Sequence, residues 1–293
     1  INNWFVRKKG RAMGIGMSSQ GMGGAILAPF MAYIIGYWGW QTAAVVAGIG
    51  VAVIVLPITT LIRTRPEEMG LKPDGDLETP PELQTYRDDL PQFDQSVVIN
   101  FTTKQAVKTS TLWILVLAMG IRQFTQAGIL LHLGPLLQDR GLNIIQAGST
   151  VGLLALMSIP GAFTCGWISD HFQRRYVITV FVVAETIALI ILLTAINTWH
   201  IYVFVFIYGF GQGAHVINRA MLGEYFGQKN YGKIWGVVAM ATTLLAWGQV
   251  YAGWIYDMTQ SYNVAISTFI LLHLISMVLY FNCRKPVMPD IDQ

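Results

Sequence analysis

Four polar residues recur at helical spacing within one apolar stretch of this sequence. Tyr208, Gln212, His215 and Arg219 stand at positions i, i+4, i+7 and i+11, so on a helix they form one polar stripe. A guanidinium group is a planar fork of donors that matches a carboxylate or a phosphate. The stripe therefore predicts contacts to an organic anion, unless Arg219 instead pairs with Glu224 or with a carbonyl at the helix end.

A second arginine lies midway along another apolar stretch. Arg122 has Gln126 within about one helical turn, and two guanidinium groups without nearby acidic partners would attract an anion. Both residues therefore join the predicted binding site. Glu185, in a third stretch, is a proton-coupling carboxylate, the ion-pair partner of an arginine, or a polar residue facing a neighbouring helix. His132 is a second candidate for proton coupling, although histidines in such stretches more often serve packing.

These residues lie in stretches long enough to cross a membrane as helices. Of the 293 residues, 54% are apolar and 12% are charged, whereas soluble domains carry about 25% charged residues. Eight apolar stretches have roughly the 20 residues that span a bilayer core. They cover approximately residues 12–35, 40–62, 110–133, 146–168, 176–196, 200–222, 234–256 and 262–282. Because lipid offers backbone groups no hydrogen-bond partner, we expect an all-α polytopic protein of the lipid bilayer.

The basic residues predict how these helices are oriented. Sixteen of the nineteen Lys and Arg residues fall in one set of alternate connections, which includes both ends of the chain. The opposite connections hold only Arg140. Since cytoplasmic connections are enriched in Lys and Arg, we expect both termini of this chain in the cytoplasm. The expected location is the plasma (inner) membrane.

The segment 63–109 separates two spans from the following six. It contains five prolines and nine acidic residues, which is typical of a polar linker. The sequence FVRKKGRAMG at 5–14 resembles FGQKNYGKIWG at 226–236, and each begins a span. The similarity predicts that spans one and two are equivalent to spans seven and eight, which would be a parallel repeat of six spans, as in transporters built from two halves. The alternative is a chance similarity between two basic, glycine-containing span starts.

This repeat predicts three parts of the chain. Residues 1–62 hold the last two helices of an N-terminal half, and residues 63–109 form a cytoplasmic linker between the halves. Residues 110–293 form a C-terminal half of six helices. A complete set would have twelve transmembrane helices, so we expect that eight are present here and that the first four are missing.

A charged turn between spans four and five carries the most specific motif, GWISDHFQRR. The residues that match the pattern G-x-small-x-D-x-x-x-R-R/K are Gly166, Ser169, Asp170, Arg174 and Arg175. This pattern resembles the signature of the major facilitator superfamily, from which His171 and Gln173 depart. The strings WFVRKKGRAMGIGMSSQGMGG, RPEEMGLKPDGD and EYFGQKNYGKIWG look like those of bacterial proteins related to monocarboxylate and oxalate/formate carriers.

The resemblance implies a secondary transporter that works by alternating access on a small, monocarboxylate-like anion, with proton coupling or antiport. It implies that spans three and six line a central cavity and that span five lies at the periphery. It also implies that the turn at Asp170 docks against the start of span one, between Gly10 and Gly14, and stabilises the outward-facing state. The alternative for this turn is a topology anchor. We expect a monomer without cofactor, metal or nucleic acid.

Two other classes of function are alternatives to a transporter. A membrane-embedded enzyme would need a nucleophile with a base or a metal cluster, and the sequence contains no H-E-x-x-H, G-x-S-x-G or C-x-x-C motif. We therefore expect that this protein is not an enzyme. A transporter-like membrane sensor without flux would share every feature above.

Overall fold

The computed structural model describes residues 9–61, 69, 100–227 and 229–286, with the side chains of 19, 21–60 and all later residues in these ranges. Regular structure within this part is helical throughout, which confirms the predicted all-α class. The helices are α1 (Lys9–Leu61), α2 (Thr103–Lys108), α3 (Ser110–Asp139), α4 (Ile144–His171), α5 (Arg174–Leu193), α6 (Thr198–Gln212), α7 (His215–Phe226), α8 (Tyr231–Leu244), α9 (Gly248–Thr259) and α10 (Asn263–Asn282).

Seven helical runs of the described part are long and apolar enough to cross a membrane, where eight spans were predicted. The difference lies at spans one and two, because Gly21–Thr60 forms one run of 40 residues. Gly39 interrupts this run with φ 82° and ψ 166°, a conformation that favours glycine. At 1.5 Å per residue, 40 residues are about twice the length of one crossing. Gly39 therefore separates two span-length parts of α1.

The sixth predicted span is broken into α6 and α7 where it crosses α4. A Cβ on Gly161 would collide with the backbone of Phe210, and a Cβ on Gly213 would collide with the backbone of Ala162. Small residues allow helices to approach this closely.

The first helix packs along α4 and through it contacts the rest of the bundle. Glycines of α4 again make the contact possible. A Cβ on Gly148 would collide with Ala32, and a Cβ on Gly152 would come within 2.8 Å of Pro29 Cδ. This contact joins α1 to the helices that follow the predicted linker.

A polar layer crosses the bundle between two apolar clusters. One cluster contains Phe101, Cys165, Val182 and Phe226, and the other contains Leu133, Leu189, Phe204 and Phe269. Arg122 in α3, Glu185 in α5 and His273 in α10 lie between them, and each is at most 4% exposed. We call the end of the bundle near Phe101 and Phe226 the basic end, because Arg174, Lys229 and Arg284 lie there.

The short helix α2 fixes the chain before α3 to the basic end. Thr102 begins α2 with a capping box, which satisfies free backbone donors. Phe101 is fully buried, its N–H donates to the Phe226 carbonyl at 3.0 Å, and Asn230 Nδ2 donates to the Phe101 carbonyl at 2.9 Å. Residues 100–109 of the predicted linker are thus packed on the bundle. Apart from residue 69, the rest of that linker lies outside the described residues.

Candidate functional site

A cavity of about 550 Å³ lies between α1 and the helices α3, α4, α6, α7 and α8. Polar side chains line much of it. Five of the six residues predicted to contact an anion line this cavity, namely Arg122, Gln126, Gln212, His215 and Arg219. The tertiary structure therefore brings two separate polar stretches of the sequence onto one cavity.

Arg122 is held by a carboxylate, which corrects the expectation that it has no acidic partner. Its Nε donates to Glu185 Oε2 at 2.8 Å, and its Nη2 donates to Glu185 Oε1 at 2.6 Å. Nη2 also donates to the Gly211 carbonyl at 3.2 Å. The remaining nitrogen, Nη1, has no partner among the described residues. Because a bidentate pair neutralises most of the charge, Arg122 offers the cavity one edge of its guanidinium and little net charge.

Glu185 lies directly behind Arg122 and is fully buried. Of the three roles that the sequence left open for Glu185, the structure shows the ion pair with an arginine. A side chain at Gly211 would occupy its place, since a Cβ there would be 2.5 Å from Glu185 Cγ. His273 Nε2 lies 3.3 Å from Glu185 Oε2 on the other side. Span five thus turns its carboxylate into the bundle interior, although no residue of this span lines the cavity.

Arg219 is the cavity-lining cation without a carboxylate partner in the described part of the chain. Its side chain is exposed to the cavity, and its guanidinium carbon lies 5.5 Å from the centroid of the Trp235 ring. Glu224, the partner that the sequence left open, pairs instead with Arg174, whose Nη1 lies 2.6 Å from Glu224 Oε2. Arg219 is therefore the main source of positive potential in the cavity.

Tyr208 is the one residue of the predicted polar stripe that does not line the cavity. It is fully buried, and its ring stacks on Phe204 with centroids 5.2 Å apart. Gln212 follows Tyr208 on α6, and the helix break after Gln212 places His215 and Arg219 on α7. His215 Nδ1 lies 2.7 Å from the Gln212 carbonyl and donates to it, because a carbonyl only accepts. The Nε2 atom of His215 has no partner in the described part.

His132 does not line the cavity and bridges three parts of the bundle. Its Nε2 lies 2.9 Å from the Gln249 carbonyl and its Nδ1 lies 3.2 Å from the Tyr262 hydroxyl. A neutral ring satisfies both contacts, with Nε2 donating and Nδ1 accepting. This geometry supports the packing role that the sequence left open for His132.

The charged turn of the motif is anchored to α7 by one of its arginines. Arg174 Nη1 donates to the Ala220 carbonyl at 3.3 Å, in addition to its ion pair with Glu224. Arg175 bonds to its neighbour in the chain, because its Nη2 donates to the Tyr176 hydroxyl at 2.8 Å. The turn between α4 and α5 is therefore tied to the helix that carries Arg219.

The predicted contact between Asp170 and the start of α1 lies outside the described residues. Asp170 is exposed, and it makes no hydrogen bond or ion pair with the residues that are described. A Cβ on Gly166 would meet nothing within 4 Å. Gly10 and Gly14 lie in the first turns of α1, where side-chain surroundings are outside the described residues. The gating role of the turn stays a prediction.

Three residues of this region were missed by sequence reasoning as parts of the site. Asn218 and Trp235 line the cavity, and His273 contacts Glu185. The signal for His273 was its depth, since it lies near the middle of span eight as Arg122 and Glu185 lie near the middle of theirs. The residues described here contain no group of three or more metal-ligating side chains.

A second cavity, also of about 550 Å³, lies at the end of the bundle opposite the basic end. Its arginine is already occupied, because Arg140 Nη1 donates to the Ala195 carbonyl at 2.8 Å and Nη2 donates to Asn263 Oδ1 at 3.2 Å. The cavity at Arg219 is therefore the better candidate for an anion.

Fold and site together define a polytopic helical membrane protein with a polar cavity between its helices. The family model of the Major Facilitator Superfamily matches residues 1–248, and the chain belongs to this family. It is 26% identical over 288 residues to monocarboxylate transporter 12 of Mus musculus, covering 90% of this chain and 57% of that protein.

Two bacterial relatives come from Bacillus subtilis. The chain is 25% identical to the uncharacterized MFS-type transporter YcxA over 95% of its own length and 65% of the relative. It is 26% identical to a glycerol-3-phosphate transporter over 59% of its own length and 39% of the relative. The chain thus spans about three-fifths of the length of the relatives that it matches over most of its own sequence.

Proposed function

We propose that this protein is a secondary active transporter of a small organic anion and works by alternating access. The single observation that carries the proposal is the cavity between α1 and the later helices, where Arg219 is exposed and unpaired by any described carboxylate. In a membrane-embedded cavity, a cation that is paired with no carboxylate of the described residues attracts an anion, because intramembrane charges are costly and are kept where they act. A cavity of about 550 Å³ is in the range of small-molecule sites.

Within this proposal the substrate is a small carboxylate, and transport is proton symport or antiport. Arg219 is the main contact, Gln126, Gln212 and His215 are polar contacts, and Arg122 contributes its Nη1 edge. The two groups of helices on either side of residues 63–109 are the rocking halves, and the charged turn at Asp170 is part of the gate. The protein acts as a monomer in the plasma (inner) membrane with both ends of this chain in the cytoplasm.

The experiment is uptake of radiolabelled L-lactate by proteoliposomes that contain the full-length protein. We expect saturable uptake that R219Q abolishes, because the substitution removes the unpaired cation and keeps a polar side chain. R140Q is the matched control, since it removes an arginine far from the cavity, and it should leave uptake unchanged. Equal uptake by R219Q and the unmodified protein would remove the assigned anion contact.

Two further measurements separate the alternatives. Uptake of glycerol 3-phosphate in place of lactate would move the substrate class from carboxylates to phosphate esters. Tight binding of either anion without uptake would indicate a membrane sensor. Absence of both binding and uptake would overturn the proposal.

A further inference from the structure

We infer that Glu185 and His273 form a proton-binding site that determines whether Arg122 is available to the anion in the cavity. This inference rests on the proposed function, because it concerns how the same cavity is regulated. It deepens that function by naming the coupling ion, the residues that hold it and the residue through which it acts.

The charges of the buried cluster balance. Arg122 and Glu185 lie at most 4% exposed and carry opposite charges. His273 is fully buried beside the carboxylate. With a neutral His273 the cluster has no net charge, which is the arrangement that a low-dielectric interior favours.

One nitrogen of the cluster can accept a proton. A carboxylate oxygen only accepts, so His273 Nε2 carries the hydrogen that faces Glu185 Oε2 at 3.3 Å. His273 Nδ1 is then a bare lone pair, and it is buried without a hydrogen-bond partner among the described residues. Of the cluster's polar atoms, this nitrogen is the one that can take up a proton without losing a hydrogen bond.

A proton at this nitrogen changes the contacts of Arg122. A proton on His273 Nδ1 converts the ring into an imidazolium, whose Nε2–H competes with Arg122 for the Glu185 carboxylate. The cluster then carries one net positive charge beside the cavity. A monoanion at Arg122 Nη1 restores neutrality, so one proton and one monoanion favour each other's binding. Because such coupling is reciprocal, the anion in turn holds the proton.

Glu185 has other titratable groups near it besides His273. Those that interact electrostatically with the carboxylate are Cys165 of α4, Tyr208 of α6, His215 of α7 and Tyr280 of α10. Cysteine and tyrosine do not gain a proton near neutral pH. His215 is the other histidine of this group and lines the cavity, so it is the residue that the experiment must distinguish from His273.

The first test needs no substrate. Infrared difference spectra of the full-length protein in nanodiscs are recorded between pH 8 and pH 5. We expect an imidazole protonation signal, coupled to a shift of a buried carboxylate band, that H273Q removes and H215Q retains. A carboxylate shift that persists in H273Q overturns the inference, whatever the protein transports.

The second test measures coupling with L-lactate as the probe. For the unmodified protein, linkage of one proton to one monoanion predicts that affinity falls about tenfold for each unit of pH above the proton site's midpoint. H273Q should bind lactate with an affinity independent of pH, and H215Q should keep the slope. E185Q should bind lactate at pH 8 as tightly as the unmodified protein does at low pH, since Arg122 is released.

The outcomes distinguish this inference from the proposed function. If the unmodified protein neither binds nor transports an anion, the proposed function fails and the coupling fails with it. If lactate is transported but H273Q keeps the slope of affinity against pH, the inference alone fails. Thermal unfolding of each variant in nanodiscs identifies any loss that comes from misfolding, and H273N then serves as a smaller substitution.

Discussion

Arg122 and Glu185, 63 residues apart in the chain, form a bidentate ion pair with nitrogen–oxygen distances of 2.6 and 2.8 Å inside the helical bundle. Burial of either charge alone costs about 2.5 to 3.5 kcal/mol on membrane-insertion scales. The pair offsets this cost because each group gives the other the opposite charge and the hydrogen bonds that water provided before burial. It also links α3 to α5 beside the cavity, so that the same contact affects both the stability of the fold and the binding of the anion.

Removal of one partner of this pair should destabilise the protein strongly. For R122A or E185A we expect a loss of about 3 to 5 kcal/mol in the free energy of unfolding, because an uncompensated charge stays buried. The double variant R122M/E185M should lose much less. Unfolding by SDS titration in mixed micelles measures the difference. Equal losses in the single and double variants would contradict the pairing.

Trp235 should help to hold Arg219 in place for the anion. A cation over an aromatic ring gains about 0.5 to 1 kcal/mol at an accessible site, so W235L should weaken lactate binding about two- to fivefold. The control is W254L, which replaces an exposed tryptophan of α9 that does not line the cavity. Equilibrium binding in nanodiscs provides the measurement. Unchanged affinity in W235L would show that the ring does not position Arg219.

The glycines at the contact between α1 and α4 should tolerate no side chain. G148A places a methyl group where Ala32 lies, and overpacking of this kind costs about 1 to 3 kcal/mol. The matched control is G23A in α1, whose Cβ would meet nothing within 4 Å. Because alanine favours a helix over glycine by up to about 1 kcal/mol, G23A should be neutral or stabilising. Melting temperatures in detergent decide between these outcomes.

Neither cysteine of the sequence should react with thiol reagents in the folded protein. Cys165 and Cys283 are both buried, and burial raises the pKa of the Cys283 thiol to about 11. The reactive thiolate is therefore scarce below about pH 9 and increases only as the pH rises toward that value. Maleimide labelling at pH 7 and pH 9, followed by mass spectrometry, should find both thiols unmodified until the protein is denatured.

The gating hypothesis for Asp170 can then be tested with a single introduced thiol. Ser158 lines the cavity, so S158C reports on its access to a membrane-impermeant maleimide. A carboxylate near a helix start contributes about 1 kcal/mol, and D170N should shift the ratio of outward-facing to inward-facing states about fivefold toward the inward side. D257N, an exposed aspartate at the opposite end, is the control. Identical labelling rates in D170N and D257N would leave the turn as a topology anchor.

The membrane-spanning helices could be predicted from the sequence because each depends on a local property. Twenty apolar residues in a row must close their own backbone hydrogen bonds in lipid, and this holds wherever the segment packs. The one difference, at spans one and two, arose because Gly39 alone separates them. The breaks between α6 and α7 and between α8 and α9 could not be predicted, since they depend on where neighbouring helices cross.

For the candidate site too, the sequence predicted the local properties and the tertiary structure decided the contacts between distant residues. Residue types and depths identified Arg122, Gln126, Gln212, His215 and Arg219, because polar groups inside apolar stretches are evident from the sequence alone. The sequence thus determined the fold class, the family resemblance and which residues could act in the membrane. Tertiary structure decided which arginine is neutralised by Glu185 and which is exposed to the cavity. Such partners depend on the rotation and packing of helices far apart in the chain, and no local pattern contains that information.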